Sequence, residues 1–318
     1  VTKLGYTLSS EEFDAPTLVG QAERAEQAGF AFASISDHFH PWIDEQGESP
    51  FVWGTLGAIS QRTDRIELIT GVTCPTTRIQ PAIVAQAAAT AASLLPGRFS
   101  LGLGTGENLN EHILGDRWPG VVERQDRLEE AIEVIRELWS GELTSHRGEH
   151  FVVENARIYS LPDKLPRLLV AVAGRNSVEL AAGAGDGLVG TAPVAASVEQ
   201  FRSEGGEGKP TYGQLHVCWG EDEEEAKQLA LRQWPNAGFS GSYFVELPLP
   251  AHFEEAAESL SADDVAQSVV CGPDPDRHRA AIQEYVDAGY DHVYVHQVGP
   301  DQRGFFEFYE REVLPSFN

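Results

Sequence analysis

Short apolar, β-branched runs alternate along the chain with longer stretches whose apolar positions recur every three or four residues. This is the signature of strand–helix units on a parallel sheet. The spacing predicts strands at Lys3–Leu8, 32–36, 66–72 and Phe99–Leu103. Helices are predicted to follow them at 17–28, 51–60, 79–95 and 124–138. The first helix carries Leu18, Ala22, Ala25 and Ala28 along one side; the fourth carries Leu128, Ile132, Ile135 and Trp139. The regularity breaks over 141–166, where 151–153 and 157–161 predict an inserted β-hairpin. Strands resume at 168–172, Gly187–Gly190 and 214–219, with helices starting near Ser177, Ser197 and Glu223. A second irregular stretch, 235–261, is rich in Gly, Pro and aromatics. Helices at 262–270 and 276–288, a last strand at 292–296 and a closing helix at 305–314 complete the chain.

Eight strands, each with a following helix, predict a (β/α)8 TIM barrel, an α/β fold with one domain over 1–318 and insertions near 141–166 and 235–261. A doubly wound sheet is the alternative. Against it, no GxGxxG fingerprint opens an early helix, and Gly102-Leu103-Gly104-Thr105-Gly106 lacks the third glycine at its usual spacing.

Charge narrows the partners. The 318 residues hold 49 acidic against 23 basic side chains, a formal net charge of −26. That excess repels a nucleic-acid backbone and an anionic membrane surface. Only 4 of the basic residues are Lys and 19 are Arg, an acid-rich, Lys-poor balance that salt adaptation favours and that high-GC codon usage also produces. Cys74, Cys218 and Cys271 lie far apart with no CxxC pair, which argues against a zinc site or a disulfide framework. The opening residues lack a charged region followed by an apolar stretch, and the most apolar segment, 79–95, is broken by Gln80, Pro81, Gln86 and Thr90. The expectation is a cytoplasmic protein.

In a TIM barrel the chemistry sits where strands end. The end of the second strand reads Ser36-Asp37-His38-Phe39-His40-Pro41-Trp42, which puts two histidines, a carboxylate and an indole in seven residues. A histidine near its neutral pKa can take a proton from an alcohol, and Asp37 could hold or polarise it. A metal is disfavoured, because His38 and His40 are i, i+2 in a loop with no third ligand in view. The end of the fourth strand offers Thr105, Gly106, Glu107 and Asn110, small residues against which a planar ring can lie, with a second carboxylate. Glu107 has a second reading, as the cap of the segment that follows. Glu11 completes the set, although Glu11-Glu12 also reads as solvated surface. After the fifth strand, Gly174 and Arg175 precede a helix capped at Asn176 or Ser177. The pattern suits a phosphate and also a bare turn.

With these motifs assembled, the chain resembles the deazaflavin (coenzyme F420)-dependent branch of the bacterial luciferase-like superfamily. The resemblance covers nearly the whole chain. It rests on Leu4-Gly5-Tyr6, the Ser36–Trp42 run, Thr73-Cys74-Pro75-Thr76, Gln80-Pro81-Ala82-Ile83-Val84-Ala85-Gln86, Gly104-Thr105-Gly106-Glu107-Asn108-Leu109-Asn110-Glu111 and Ala184-Gly185-Asp186-Gly187. It implies hydride transfer from a carbinol to C5 of the deazaflavin, with no metal. His38 would be the base, Trp42 would pack beside the reacting carbon, Glu107 would be a proton donor near N1, and Glu11 a further active-site carboxylate. Asp37, Cys74, Thr105, Gly106, Asn110, Gly174 and Arg175 would hold the ring and phosphate. Gly71-Val72 falls where the family carries a non-prolyl cis peptide under the ring. The resemblance also implies a homodimer.

One departure bears on the substrate. The glucose-6-phosphate enzymes of this branch grip the sugar phosphate with two lysines, an arginine and a histidine from the second half of the chain. The corresponding stretches here, 191–194, 240–244 and 266–269, contain no Lys, Arg or His. A dianionic phosphate needs charge-assisted partners. An alcohol or an unphosphorylated sugar is therefore the expected substrate, with His40 and Trp234 on the substrate side. A glucose-6-phosphate enzyme with its clamp re-sited at Arg175 or Arg232 is the first alternative. An FMN-dependent monooxygenase comes next, and from another class a deazaflavin-binding protein without turnover.

Overall fold

A computed structural model describes residues 2–239, 241 and 243–317. Parallel strands β1 (Lys3–Leu8), β2 (Phe32–Ile35), β3 (Glu67–Thr70) and β4 (Phe99–Leu103) pair in chain order. After the antiparallel hairpin of β5 (Thr144–Arg147) and β6 (Val152–Ala156), the sheet continues with β7 (Arg167–Ala171), β8 (Gly187–Gly190), β9 (Thr211–Cys218) and, past β10 (Val269–Cys271), with β11 (His292–Gln297). Because β11 pairs back onto β1 and β8 onto β9, the sheet closes; β10 only extends the end of β9. The ring is an eight-stranded parallel (β/α)8 barrel.

Strand alternation decides what faces inward. Phe32, Ile69, Leu169, Val189, Tyr212 and Tyr294 form the buried plug of the barrel, with Phe32 and Tyr212 edge to face at 5.3 Å. Residues next to them in the strands, such as Ala33, Leu68, Val170 and Val293, pack outward against the helices. The outer layer is α1 (Ala15–Ala28), α2 (Val52–Ile59), α3 (Pro81–Leu94), α4 (Asn108–Glu111), α5 (Val121–Leu138), α6 (Arg175–Ala184), α7 (Ala195–Phe201), α8 (Glu223–Gln233), α9 (Pro250–Ala257), α10 (Ala262–Val265), α11 (Pro275–Asp287) and α12 (Gln302–Phe308). The start of α1 lies two residues before the predicted one, because Asp14 caps it by accepting from the Thr17 N–H. Among the described residues no helix is long and apolar enough to cross a membrane.

Three local expectations are corrected. The hairpin strands are Thr144–Arg147 and Val152–Ala156, one strand earlier than predicted at each arm. The predicted helix at 262–270 stops at Val265 and gives way to β10, which covers the end of β9. The stretch 235–261 contains a full helix, α9, whose Phe253 is completely buried. Of the residues 240–244, Ser240 and Ser242 lie outside the described residues.

Candidate active site

The barrel mouth gathers residues from the ends of β1, β2, β3 and β4. Glu11, just past β1, is buried, and its Oε2 accepts from the hydroxyls of Ser36 (2.7 Å) and Ser9 (3.1 Å). These bonds aim Oε1 at His38, whose Nδ1 lies 3.3 Å away. The contact is too poorly aligned to be a hydrogen bond, so His38 Nδ1 has no bonded partner among the described residues. The His38 ring stands edge to face with Trp42 at 5.0 Å, and Trp42 in turn packs on Phe253 at 5.3 Å. Gln46 fixes the Trp42 loop by accepting from the Trp42 N–H at 2.8 Å and donating to the Gln233 carbonyl.

Asp37 does not hold a histidine; Glu11 takes that place. Asp37 is buried, with Oδ2 accepting from the Thr73 hydroxyl (2.7 Å) and Oδ1 paired to the Arg78 guanidinium (3.0 Å). Arg78 also reaches Glu111, which accepts from the Arg78 backbone N–H at 2.7 Å. Burial pushes the Glu111 carboxyl up to about 7, against the opposing pull of Arg78. The Asp37–Arg78–Glu111 cluster ties the loops after β2, β3 and β4 into one unit. Neither Arg78 nor Glu111 stood out in the sequence as a site residue.

The floor of the mouth is backbone. Gly71–Val72 is a cis peptide, at the position the resemblance implies. A Cβ on Gly104 would stand 2.5 Å from Val72 Cγ2, so the two chains approach as only glycine permits. Gly106 has φ +86°, and a Cβ there would meet Glu111 Cγ at 2.7 Å. Gly106→Ala is expected to cost about 1–2 kcal/mol through its left-handed backbone. Urea denaturation measures that loss, and an unchanged midpoint would refute it. Cys74 is buried, its thiol pushed well above the usual range by burial and by Glu111 and Glu107. Thr105 is half-buried beside it, its carbonyl accepting from the Thr76 hydroxyl.

Glu107 precedes α4 but makes no side-chain cap bond, so the capping reading fails and its half-buried carboxylate is uncommitted. Asn110 Oδ1 accepts from the Phe39 and His40 N–H groups (2.9 and 3.1 Å), while its buried Nδ2 has no partner among the described residues. His40 is turned onto α4: its Nδ1 donates to the Leu109 carbonyl at 2.8 Å and its ring stacks on His112. That is a brace between two loops, and it lends no support to a substrate-side role. Trp234 is buried in the same apolar cluster as Trp42, against His216 and His296. Gly174 and Arg175 are exposed at the start of α6, and the cap differs from expectation. Gly174 is the cap residue, and Ser177 folds back to accept from the N–H groups of Ala173 and Gly174.

The luciferase-like monooxygenase family model matches residues 1–292. The chain belongs to the luciferase-like family. Within it, the chain is 36% identical over 327 aligned positions to an F420-dependent glucose-6-phosphate dehydrogenase of Mycobacterium avium (strain 104), covering 98% of this chain and 97% of the relative. It is 39% identical to an F420-dependent hydroxymycolic acid dehydrogenase of Mycobacterium tuberculosis (strain ATCC 25618 / H37Rv), covering 98% and 87%. Its fold matches an F420-dependent secondary alcohol dehydrogenase, solved with an F420–acetone adduct, at a TM-score of 0.92 and 28% identity over 100% of this chain and 99% of that one. This luciferase-like chain shares its barrel with relatives of several different substrates, so the site itself must carry the assignment.

Proposed function

We propose that this chain is a coenzyme F420-dependent dehydrogenase that oxidises a carbinol, with an alcohol or an unphosphorylated sugar as substrate. The observation that carries it is His38, set against the buried Glu11 and the Trp42 ring, beside a glycine-lined floor. Three features fit the coenzyme: the cradle of Gly71, Val72, Gly104 and Gly106, the unpartnered buried donor Asn110 Nδ2, and the uncommitted carboxylate of Glu107. Asp37, Cys74 and Thr105 shape the walls, and the exposed start of α6 with Arg175 suits its phosphate. When bound, the deazaflavin supplies a two-electron hydride acceptor.

The chain's own residues handle the proton. With Nδ1–H turned to Glu11, His38 presents Nε2 to the substrate hydroxyl and takes its proton there. Glu11 then faces an imidazolium and stabilises it. Ser9 and Ser36 keep that carboxylate in place whether or not His38 is charged. Trp42, held by Phe253 and Gln46, walls the reacting carbon from water. Glu107, the carboxyl left uncommitted, would pass a proton to the other side of the ring.

The high identity to glucose-6-phosphate dehydrogenases favours a second reading, in which the same site takes a phosphorylated sugar. The missing basic clamp weighs against it, although Arg175 and Arg232 are both exposed and could replace one. The three cysteines are free and buried, which suits a reducing cytoplasm, and a homodimer is part of this reading. Fluorescence titration is expected to show tight binding of F420 and none of FMN. The reverse result would sink the cofactor assignment and favour the monooxygenase reading. Following deazaflavin absorbance, alcohols or free sugars are expected to reduce the coenzyme faster than glucose-6-phosphate. A strong preference for the phosphate ester would instead select the second reading.

A further inference from the structure

A second set of polar side chains enters the barrel mouth beside the first, and the proposed chemistry leaves it unused. Tyr212 and Tyr294 belong to the barrel plug, so by strand alternation His216 and His296, four and two residues further on, also point inward, toward the C-terminal end. His296 is 1% exposed, and its Nε2 lies 2.7 Å from Glu12 Oε2. The other oxygen of Glu12 accepts from the Gly299 N–H at 2.9 Å. His296 Nδ1 lies 2.9 Å from His216 Nδ1. Trp234 packs on both rings, at 4.3 Å from His296 and 5.6 Å from His216. None of the described residues hydrogen-bonds His216 Nε2, and His216 is only half-buried.

With both imidazoles neutral, hydrogen-bond arithmetic sets the protons along this chain. A carboxylate only accepts, so His296 donates from Nε2 to Glu12. A neutral imidazole has one donor and one acceptor, so His296 Nδ1 carries a lone pair and His216 Nδ1 must donate to it. His216 Nε2 is left with a lone pair directed away from its partners. Burial pulls the His216 pKa down to about 3, which keeps that ring neutral.

The geometry points to His216 as a substrate-binding residue whose Nε2 accepts a hydrogen bond from a second hydroxyl of the substrate. It rests on the reading of the site as an F420-dependent dehydrogenase and narrows the substrate class to vicinal diols and sugars over simple monoalcohols. Glu11 and Glu12 are consecutive, so the turn after β1 aims one carboxylate at the base and the next at this second anchor. A substrate with adjacent hydroxyls would meet both, one hydroxyl losing its proton to His38 and its neighbour held by His216. A monoalcohol leaves His216 unpaired and forfeits that hydrogen bond.

Glu12→Gln is the incisive variant. Its Oε1 must stay on the Gly299 N–H, so its amide donates to His296 Nε2. Both imidazoles then reverse, and His216 Nε2 becomes a donor. In the full chain labelled with ¹⁵N-histidine, NMR is expected to show His216 protonated at Nδ1 in the natural protein and at Nε2 in Glu12→Gln. Protonation at Nε2 in the natural protein, or a doubly protonated His296, would overturn the inference. In kinetics with F420, kcat/KM for propane-1,2-diol relative to propan-2-ol is expected to fall roughly tenfold in His216→Phe, through KM more than kcat. An unchanged ratio in His216→Phe overturns this inference alone. No F420 reduction by either alcohol overturns the underlying dehydrogenase reading, and this one falls with it, while F420 titration separates a cofactor failure from a substrate failure.

Discussion

His38→Ala is expected to lower turnover by about 10²–10⁴-fold while F420 affinity changes little, the loss typical of removing a positioned general base. The argument is local. Three side chains fix the environment of His38: Glu11 at Nδ1, Trp42 against the ring, and Ser36 holding Glu11. None of the coenzyme cradle is built from His38, which belongs to the loop after β2, whereas the glycine floor belongs to the ends of β3 and β4. Single-turnover absorbance should therefore show slow reduction by substrate, and fluorescence titration should show near-normal binding. Glu11→Gln should follow in the same direction with a smaller loss, since it keeps the shape and removes only the charge that stabilises the imidazolium. Near-normal turnover in His38→Ala would transfer the role of base to another residue.

The barrel was legible because its strands are buried on both faces and read as continuous apolar runs bounded by turns. Lys3–Leu8, Phe99–Leu103 and Gly187–Gly190 emerge with the boundaries expected. The inserted hairpin was legible but its first arm was not, because Thr144–Arg147 is half exposed and mostly polar, so it carries neither period. The segment before β10 failed for the opposite reason: 262–270 is apolar enough for either state, and packing on β9 decides. At the site, His38, Trp42, Glu107 and Asn110 were legible as a dense local motif. Arg78 and Glu111 were not, since the cluster joins three loops distant in sequence. The pairing of His216 with His296 spans 80 residues. Its only local signal was a histidine at an inward register position of each of two strands, near the end that bears the site.

Arg78→Ala is expected to destabilise the fold by about 3–5 kcal/mol, the range seen when one partner of a buried ion pair is removed. The side chains of Arg78, Asp37 and Glu111 are 7%, 1% and 1% exposed, so the variant strands two carboxylates away from water. The loss must depend on pH, with a sign that follows from Glu111. Its folded pKa, raised by burial to about 7, lies above the ordinary carboxylate value of an unfolded chain. Such a group leaves stability intact below the unfolded pKa and erodes it as pH rises through the folded one. Without Arg78 the Glu111 carboxyl shifts further upward, so the erosion deepens. The gap between the natural protein and Arg78→Ala should then be small near pH 5 and widest above about pH 7. Urea denaturation at both ends of that window checks it; a gap that is flat, or larger in acid, would show that Arg78 does not neutralise these carboxylates. Adding Glu111→Gln to Arg78→Ala should recover part of the loss, because it removes one stranded charge. Recovery in the double variant would also identify the three loops as one electrostatic unit. The floor under the coenzyme would then be held by Arg78 rather than by packing alone.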